Sequence, residues 1–511
     1  MKDGEPQLQK ISDIPRLWAG RTPNQPAIYE NGQQITFGEL WMRVCDAQDF
    51  LREQGVVCGD RVLVAAENCT AAVVLLFALS EIGAWPVILN ARLSGHEVEV
   101  IRAHCRPRLM LFTYAVSPDA VRHGVRYRAR EITPPGIGPI MACAPDTTSE
   151  PEPEALAREV AALIYTSGTT GQPKGVMLKH GGLLHFARVS AASRDLSPND
   201  CAYAVMPISH IFGLATLLLA TFQAGASLFL ETRFSAERAV TALADARISI
   251  LQGVPTMFTR IVAWVRSHGG TIGAPHLRYL YTGGGQLDPA LKADVEALFG
   301  LPLHHGYGMT EYAGSLFITR IDRPRSDVSA GEIVEGAELR VLDADRQPAQ
   351  PGQAGELWVR GPGVMRGYYR EPELTAAVVD ADGWFNTGDL GRVDASGALF
   401  VVGRSRDLII RSGFNVYPIE VESVINMYPG VRQSAVVGRR GADGNEEVVA
   451  FVELKDGVEL DDVAFQNYLA DHLSPYKRPS QIVRTKMLPM TASGKLQKQP
   501  LRELAARAAN R

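Results

Sequence analysis

Apolar and polar positions follow two different periods along the first part of the chain. Residues 61–66 and 85–89 are nearly continuous apolar runs of short length, which predicts buried strands. Residues 71–82 and 95–103 are longer segments whose apolar positions are spaced as on a helix. Strands that alternate with helices in this way are typical of parallel sheets covered by helices. The pattern therefore predicts an α/β fold.

The pattern changes after about Gly331, where short strands with turn signals follow one another, as at 339–342 and 355–359. Beyond Gly403 helices and strands mix again over about 100 residues, which is enough for a small α+β domain. The charged sequence 403–407 interrupts two apolar runs. We therefore predict a large N-terminal multi-subdomain α/β domain over residues 1–403 and a small mobile α+β C-terminal domain over residues 404–511.

Composition and charge exclude several classes of protein. The 511 residues include 46% hydrophobic and 21% charged residues, which is typical of a globular protein of more than one domain. A net charge of −4 gives no global attraction to nucleic acid or to an anionic membrane. The longest apolar stretches, 211–222 and 71–79, are shorter than the ~20 residues that span a bilayer and predict buried helices instead. We expect a cytoplasmic protein, monomeric or homodimeric, that binds small molecules.

The six cysteines contain no Cys-x-x-Cys pair, which favours neither a zinc site nor a disulfide scaffold. A segment rich in Gly, Ser and Thr, residues 165–175, instead follows an apolar strand. Glycines let backbone amides approach an anion, hydroxyls donate to its oxygens, and a lysine adds charge, so the segment predicts a polyphosphate site. It is not a Walker A loop, because its lysine follows proline and no hydroxyl follows the lysine. The candidate residues are Thr166, Ser167, Gly168, Thr169, Thr170 and Lys174.

With this segment the chain resembles the adenylate-forming (AMP-binding) superfamily, which includes acyl-CoA synthetases, firefly luciferase and the adenylation domains of peptide synthetases. Further motifs of that family recur in the same order from about residue 20 to about residue 505. The resemblance is to the acyl-CoA synthetase branch. It implies ATP-dependent adenylation of a carboxylic acid followed by transfer of the acyl group to coenzyme A, with ATP, Mg²⁺ and coenzyme A as cofactors.

The resemblance also implies a nucleotide site. Thr310 would contact phosphate, and Glu311 would hold Mg²⁺. Asp389 would accept from the ribose hydroxyls, since one carboxylate offers two acceptor oxygens to two vicinal hydroxyls, and Arg404 would support it. The residues that would line the adenine site are Gly283, Gly284, Gly285, Gly306, Tyr307, Gly308 and Met309.

Two C-terminal segments would act in successive steps. Lys495 matches the catalytic lysine of the family, and an ammonium group is the stabiliser that attack of a carboxylate on a phosphate requires. Ser412 and Gly413 match the loop that builds the pantetheine tunnel after the small domain rotates. Arg406 occupies the hinge position, where Asp or Lys is more usual. The segment 439–447 departs from the family pattern, which leaves the contacts to the adenine of coenzyme A open.

The acyl pocket follows from the resemblance as well, with the segment 252–255 among those that line it. Small residues leave space and apolar residues form a wall, which favours a bulky apolar acid, either a medium- or long-chain fatty acid or an aromatic acid. No Arg or Lys stands among these positions to pair a second carboxylate. His210 would also act in catalysis, as a gate between the acyl and pantetheine channels. The pocket residues are His210, Ile211, Phe212, Leu251, Gly283, Gly306, Ala313 and Gly314.

Three alternatives share some of these motifs. An acyl-AMP ligase would load a carrier protein instead of coenzyme A, and a luciferase-like oxygenase would need oxygen-dependent chemistry. A non-catalytic nucleotide-binding module would keep the binding motifs without turnover. We expect no nucleophilic serine or cysteine, because the acyl-adenylate is already an activated mixed anhydride.

Overall fold

The computed structural model of the protein describes residues 8–167, 173–411, 414–440, 446–490 and 496–508. In chain order its strands are β1 (Pro26–Glu30), β2 (Gln33–Thr36), β3 (Arg61–Ala66), β4 (Trp85–Asn90), β5 (Leu109–Phe112), β6 (Arg130–Ile132), β7 (Ile140–Ala142), β8 (Val160–Ser167), β9 (Pro173–Lys179), β10 (Cys201–Ala204), β11 (Ser227–Leu230), β12 (Ile250–Gly253), β13 (Tyr279–Thr282), β14 (Leu303–Met309), β15 (Gly314–Ile318), β16 (Glu332–Ile333), β17 (Glu338–Leu342), β18 (Gly355–Arg360), β19 (Gly367–Tyr368), β20 (Phe385–Val393), β21 (Leu399–Arg404), β22 (Ile409–Arg411), β23 (Phe414–Val416), β24 (Val431–Arg440), β25 (Glu446–Leu454) and β26 (Gln481–Thr485).

The helices connect and cover these strands. They are α1 (Asp13–Arg21), α2 (Phe37–Glu53), α3 (Thr70–Ile82), α4 (Gly95–Cys105), α5 (Pro118–Arg126), α6 (Glu154–Glu159), α7 (His180–Ser193), α8 (Ala220–Gln223), α9 (Ala236–Asp245), α10 (Pro255–Ser267), α11 (Pro289–Phe299), α12 (Pro372–Ala376), α13 (Pro418–Asn426), α14 (Asp462–His472) and α15 (Lys498–Ala508). A π-helix spans Phe212–Leu219, and short 3₁₀ helices span Thr310–Tyr312 and Ser405–Asp407.

The alternation of strands and helices in the first part of the chain is confirmed. The predicted strand 61–66 is β3, and the predicted helix 71–82 is α3, which begins one residue earlier. Helix α3 is apolar on all sides and is buried, as a helix without a polar face must be. Helix α4 begins where Ser94 and Glu97 form a capping box, in which each side chain accepts from the other residue's backbone amide.

Two sheets form the framework of the N-terminal part. One has five strands in the order β4-β3-β5-β7-β6, with β4, β3 and β5 parallel. The other has nine strands in the order β16-β15-β14-β13-β12-β10-β11-β1-β2, and its middle strands β14, β13, β12, β10 and β11 are parallel. Ligands of such sheets bind beyond the carboxyl ends of the parallel strands. This edge carries the glycines at 283–285 and 306–308.

Smaller antiparallel sheets surround this edge. Strands β19-β9-β8 form one, and β17-β18-β20-β21 form another. Strands β20 and β21 form a hairpin, and its turn is closed by the Asp394 side chain, which accepts from the backbone amides of Ser396 and Ala398. The hairpin therefore holds Asp389 on β20 opposite Arg404 on β21.

The C-terminal part has its own core. Helix α13 packs against the sheet β24-β25-β26, and a hydrophobic cluster that begins at Ile409 fills the space between them. The N-terminal cluster ends near Val401. The core thus changes between Val401 and Ile409, on either side of the predicted domain boundary at 403/404. In the portion of the chain that the structure describes, no helix is both long and apolar enough to cross a bilayer.

The apolar stretch predicted as a buried helix at 211–222 is buried and helical, but most of it is wound as a π-helix. All eight residues of Phe212–Leu219 are buried, and the chain returns to α-helix in α8. At the start of the π-helix, a Cβ atom on Gly213 would lie 2.1 Å from the Pro207 carbonyl oxygen. Only glycine therefore fits where the preceding loop folds onto the helix. Wide helical turns of this kind are rare and are frequent at functional sites.

Candidate active site

A buried carboxylate joins the nine-stranded sheet to the β20–β21 hairpin. The hydroxyl of Tyr307 donates to Asp389 Oδ2 at 2.6 Å, and Arg404 Nε lies 3.1 Å from Asp389 Oδ1. Asp389 is only 7% exposed, so its charge is offset by these two donors. The structure thus brings together three predicted nucleotide-site residues that are far apart in sequence.

The surroundings of Tyr307 keep its phenol protonated. Burial, together with the neighbouring Asp389 carboxylate, raises the pKa of Tyr307 well above its usual value. The phenol therefore remains a donor throughout the physiological range. Each carboxylate oxygen of Asp389 still has acceptor capacity beyond its one bond, which is what binding to two vicinal hydroxyls requires.

A tyrosine connects Lys174 to Glu311. The hydroxyl of Tyr368 donates to Glu311 Oε1 at 3.0 Å, and the Lys174 ammonium lies 5.1 Å from the centre of the Tyr368 ring. Strand β19 pairs with β9, which sets Tyr368 beside Val176, two residues after Lys174. Tyr368 is not among the predicted site residues. Nothing local marks it, because its partners are 57 and 194 positions away in the chain.

The segment predicted to bind polyphosphate is flanked by two paired strands, β8 and β9. Thr166 at the end of β8 pairs with Lys174 at the start of β9, so the two strands present these residues side by side. The backbone of Ser167 closes the same ladder opposite Pro173. Gly168, Thr169 and Thr170 lie outside the described residues.

A tight turn carries the 306–311 motif. After β14, Thr310 and Glu311 stand in the 3₁₀ helix Thr310–Tyr312, with Thr310 buried, and Met309 precedes it in extended conformation. A Cβ atom on Gly308 would lie 2.2 Å from the Gly314 carbonyl oxygen. Glycine at 308 thus allows β14 and β15 to close on each other, which fixes the position of Glu311.

The opposite side of the same edge is aromatic and apolar. The rings of Phe212 and Tyr281 meet edge to face at 5.8 Å, and the Tyr281 hydroxyl lies 3.2 Å from Ser315 Oγ. A Cβ atom on Gly306 would lie 2.1 Å from that hydroxyl. A Cβ atom on Gly284, where φ is +71°, would lie 3.9 Å from the Phe212 ring. Phe212, Tyr281 and the glycines at 283–285 and 306 therefore form one wall.

Two neighbouring residues of β12, Leu251 and Gln252, lie on opposite faces of the sheet. Gln252 pairs with Tyr281 on β13, and Leu251 pairs with Tyr203 on β10. Because side chains alternate along a strand, Gln252 lies on the face of Tyr281 and Phe212, and Leu251 lies on the other face. Leu251, which is predicted to line the acyl pocket, therefore lies on the opposite face of the sheet from Tyr281.

The remaining predicted acyl residues flank this wall. Ile211 is buried, and Phe212 N donates to His210 Nδ1 at 3.2 Å, which orients the imidazole at the start of the π-helix. Ala313 has a left-handed backbone, with φ +54°, directly before Gly314. A Cβ atom on Gly314 would lie 2.4 Å from the Phe186 ring. The Phe186 ring therefore occupies the space beside this glycine, which does not line an open cavity.

Ion pairs connect the predicted hinge to the C-terminal helix. Arg406 Nε lies 3.6 Å from Asp407 Oδ1, and Asp407 also accepts from Arg502 on α15 at 2.5 Å. Ser412, Gly413 and Lys495 lie outside the described residues.

Helix α13 of the C-terminal part contacts the loop after Gly285, because Gln286 Nε2 donates to Ser423 Oγ at 3.3 Å.

The chain matches known proteins over nearly its whole length. The family described as AMP-binding enzyme matches residues 16–369, and the AMP-binding enzyme C-terminal domain matches residues 420–495. A feruloyl-CoA synthase of an Amycolatopsis species is 34% identical over 97% of this chain and 99% of its own. An indoleacetate–CoA ligase of Aromatoleum aromaticum is 32% identical over 96% of this chain and 97% of its own.

Solved structures agree with this assignment. ATP-bound MatB from Rhodopseudomonas palustris superposes with a TM-score of 0.85 at 29% identity, over 98% of this chain and 100% of that one. The predicted α/β class, with a large N-terminal and a smaller C-terminal domain, is confirmed. The predicted superfamily is also confirmed: the chain belongs to the AMP-binding enzyme family and is a ligase of its acyl-CoA synthetase branch.

Proposed function

We propose that this protein activates an aromatic carboxylic acid with ATP and transfers the acyl group to coenzyme A. In the first step a carboxylate oxygen attacks the α-phosphorus, and the bond to pyrophosphate breaks. In the second step the thiol sulfur attacks the acyl carbon, the bond to AMP breaks, and the thiol proton is released. The observation that carries the proposal is the buried Asp389 carboxylate, held by Tyr307 and Arg404 beside the glycine-rich edge.

Asp389 supports nucleotide binding by its chemistry and its burial. A carboxylate with two donors already in place is held in one orientation, so little ordering remains when ribose hydroxyls approach. Tyr307 also presents its ring next to Gly306 and Gly308, where a flat base can approach the backbone. Phosphates would then extend toward Thr310, Thr166 and Lys174.

Glu311 fits a role in holding Mg²⁺. Its Oε1 atom is held by Tyr368, and a hard cation with oxygen ligands is usually bound by one or two carboxylates together with substrate phosphates. When bound, Mg²⁺ would neutralise phosphate charge and favour departure of pyrophosphate. Lys495 would stabilise the charge that develops between the carboxylate and the α-phosphate.

The second step belongs to the C-terminal domain. Ser412 and Gly413 would line the pantetheine tunnel, Arg406 would act as the hinge, and His210 would separate the acyl and thiol channels. The contact between Gln286 and Ser423 supports this arrangement, because it brings α13, which begins just after the Gly413 loop, against the acyl-side loop.

Support for an aromatic acid comes from the acyl wall and from the relatives. The edge-to-face pair of Phe212 and Tyr281 offers ring surfaces, and aromatic rings favour such contacts by about 0.5–1.5 kcal/mol beyond burial. Gly283 and Gly284 carry no side chain, so a planar group can approach the backbone there. Feruloyl-CoA synthase and indoleacetate–CoA ligase, both similar over their full lengths, are named for aromatic acids.

The proposal is tested by measuring both half-reactions on a panel of cinnamates, benzoates, fatty acids, acetate and malonate. We expect pyrophosphate release and acyl-CoA formation with aromatic acids, and loss of pyrophosphate release by at least about 100-fold in Lys495→Ala with ATP binding retained. Lys486→Ala, at a lysine of the same domain, is the matched control and should retain activity.

Each other outcome excludes a specific part of the proposal. Pyrophosphate release without acyl-CoA, together with loading of a phosphopantetheinyl carrier protein, would replace coenzyme A as acceptor. Turnover with acetate or malonate alone would exclude the aromatic acid. ATP binding without turnover of any acid would show a nucleotide-binding module.

A further inference from the structure

Beside the acyl wall lies a buried polar side chain, Gln252, that has no partner among the described residues. Gln252 is 0% exposed, and neither its amide oxygen nor its amide nitrogen has a hydrogen-bond partner among the described residues. Leaving a buried polar group unpaired costs roughly 1–3 kcal/mol, so such a group is rare without a reason. Its carbonyl and its NH₂ group remain available to a ligand.

Gln252 faces the side of the sheet where an acyl group would lie. It pairs with Tyr281, whose ring meets Phe212 and whose hydroxyl lies against Gly306. Gly283 stands two residues beyond Tyr281 on the same strand path, which is roughly 7 Å along a strand. Gln252 therefore lies farther from the proposed nucleotide site than the glycines do, by about the length of one aromatic ring.

We propose that Gln252 recognises a hydroxyl group at the end of the aromatic acid distal to its carboxylate. This inference rests on the function proposed above and names its substrate class. An amide both donates and accepts, and a phenolic hydroxyl does the same, so the two groups satisfy each other. Binding of an acid without this hydroxyl leaves the amide unpaired, and sites built to bind a hydroxyl reject analogues that lack it.

The buried guanidinium of Arg194 lies near Tyr281, which pairs with Gln252, and is the alternative group that could recognise the distal end of the acid. Arg194 is 1% exposed and lies 5.1 Å from the Tyr281 ring and 5.9 Å from the Tyr279 ring. Its Nη1 donates to the Thr216 carbonyl at 2.7 Å, whereas its Nε has no partner among the described residues. Both polar atoms of the Gln252 amide lack a partner, whereas Arg194 keeps one in the Thr216 carbonyl, which favours a neutral distal hydroxyl over a distal carboxylate.

The test compares acids that differ only at the distal position, using acyl-CoA formation by the full-length protein. The acids are 4-hydroxycinnamate, cinnamate and 4-carboxycinnamate, together with 4-hydroxybenzoate and benzoate. We expect the wild-type protein to prefer the hydroxylated member of the pair it uses by at least about 10-fold in kcat/KM. In Gln252→Met this preference should fall to within about 3-fold, because the unbranched thioether fills the same space without a hydrogen bond.

Tyr203→Phe is the matched control. Its hydroxyl is also buried and unpaired among the residues described, but it lies on the opposite face of the sheet. This variant should keep the wild-type preference. A second measurement does not depend on turnover: Gln252→Met should raise the melting temperature of the free protein, since it removes an unpaired buried amide, and 4-hydroxycinnamate should then stabilise it no more than cinnamate does.

The outcomes separate this inference from the proposed function. Equal use of hydroxylated and plain acids by the wild-type protein would overturn the role of Gln252 and leave the ligase intact. Preference for 4-carboxycinnamate would assign recognition to Arg194 instead. Failure of all five acids, with acyl-CoA formed from another class, would contradict the proposed aromatic substrate itself.

Discussion

In the function proposed above, the residues assigned to the nucleotide and those assigned to the acid differ in how their polar groups are satisfied. On the nucleotide side, Asp389 is bonded to Tyr307 and Arg404, and Glu311 is bonded to Tyr368. On the acyl side, rings and glycines dominate, and the amide of Gln252 has no partner among the described residues. Both sides lie at the same edge of one sheet.

This difference matches what each side has to recognise. ATP is the same for every turnover, so side chains oriented in advance by internal hydrogen bonds lose little freedom on binding. The acid distinguishes one ligase from another, and an unpaired group makes the wrong acid costly to bind. Changes on the nucleotide side should therefore weaken all substrates alike, whereas changes on the acyl side should alter the order of preference.

The largest effect is expected for Asp389→Ala. Loss of the carboxylate removes the acceptor for ribose and leaves Tyr307 and Arg404 without their shared partner, so kcat/KM for ATP should fall about 100-fold, or about 3 kcal/mol. Steady-state kinetics with several acids measures it, and the ranking of the acids should not change. Asp382→Ala, at an exposed aspartate before β20, serves as control. A change in acid ranking would contradict the division into two sides.

A methyl group at Gly306 should act mainly on the acyl side. In Gly306→Ala the new Cβ would lie 2.1 Å from the Tyr281 hydroxyl, so the ring must move into the acyl wall. We expect about a 30-fold loss in kcat/KM for aromatic acids, or about 2 kcal/mol, with a smaller change for ATP. The double variant with Tyr281→Phe should recover part of the loss. Equal losses for acid and ATP would show that Gly306 belongs to both sides.

Acid should destabilise the protein through the buried His304, which stacks on Tyr279 at 4.5 Å. Burial, with Lys292 and Arg194 nearby, lowers the pKa of His304 to about 4. The folded state thus binds fewer protons than the unfolded state between pH 4 and about 6.5, and stability falls as pH falls through that range. His304 should contribute about 2 kcal/mol of this loss between pH 7 and pH 5. Unfolding of His304→Asn across that range should show a flatter slope, and an unchanged slope would exclude His304 as the source.

The smallest effect is expected for Tyr368→Phe. Removal of its hydroxyl leaves the Glu311 carboxylate in place but less well oriented, so kcat should fall about fivefold, or about 1 kcal/mol. The Mg²⁺ concentration for half-maximal rate should rise with it. Tyr369→Phe is the adjacent control, since the Tyr369 hydroxyl donates to Glu152 and not to Glu311. An effect of equal size in both variants would show only a structural role.

The sequence predicts features that depend on local order. The strand 61–66 and the helix 71–82 follow from apolar spacing alone, and both are present as β3 and α3. The motif around Thr310 and Glu311 is contiguous, so its residues are recognisable without a structure. Elements that depend on local sequence were therefore predictable, whereas the roles of Thr310 and Glu311 stay predictions.

Features that depend on pairing between distant segments were not predictable. Tyr368 reaches Glu311 only because β19 pairs with β9, and no pattern near Tyr368 indicates this. The face of Gln252 depends on the register of three strands, since a shift by one residue would exchange it with Leu251. Apolar periodicity also cannot distinguish π from α winding in a segment that is apolar on every side.

The π-helix at Phe212–Leu219 limits how this protein can be altered. Its wider turns take up more residues per turn than an α-helix, so the length of the segment and the direction of Phe212 are tied together. Removal of one residue would change the winding of the segment and with it the direction of Phe212 relative to Tyr281. Engineering of the acid preference must therefore use substitutions in this segment. Insertions and deletions should be confined to surface loops.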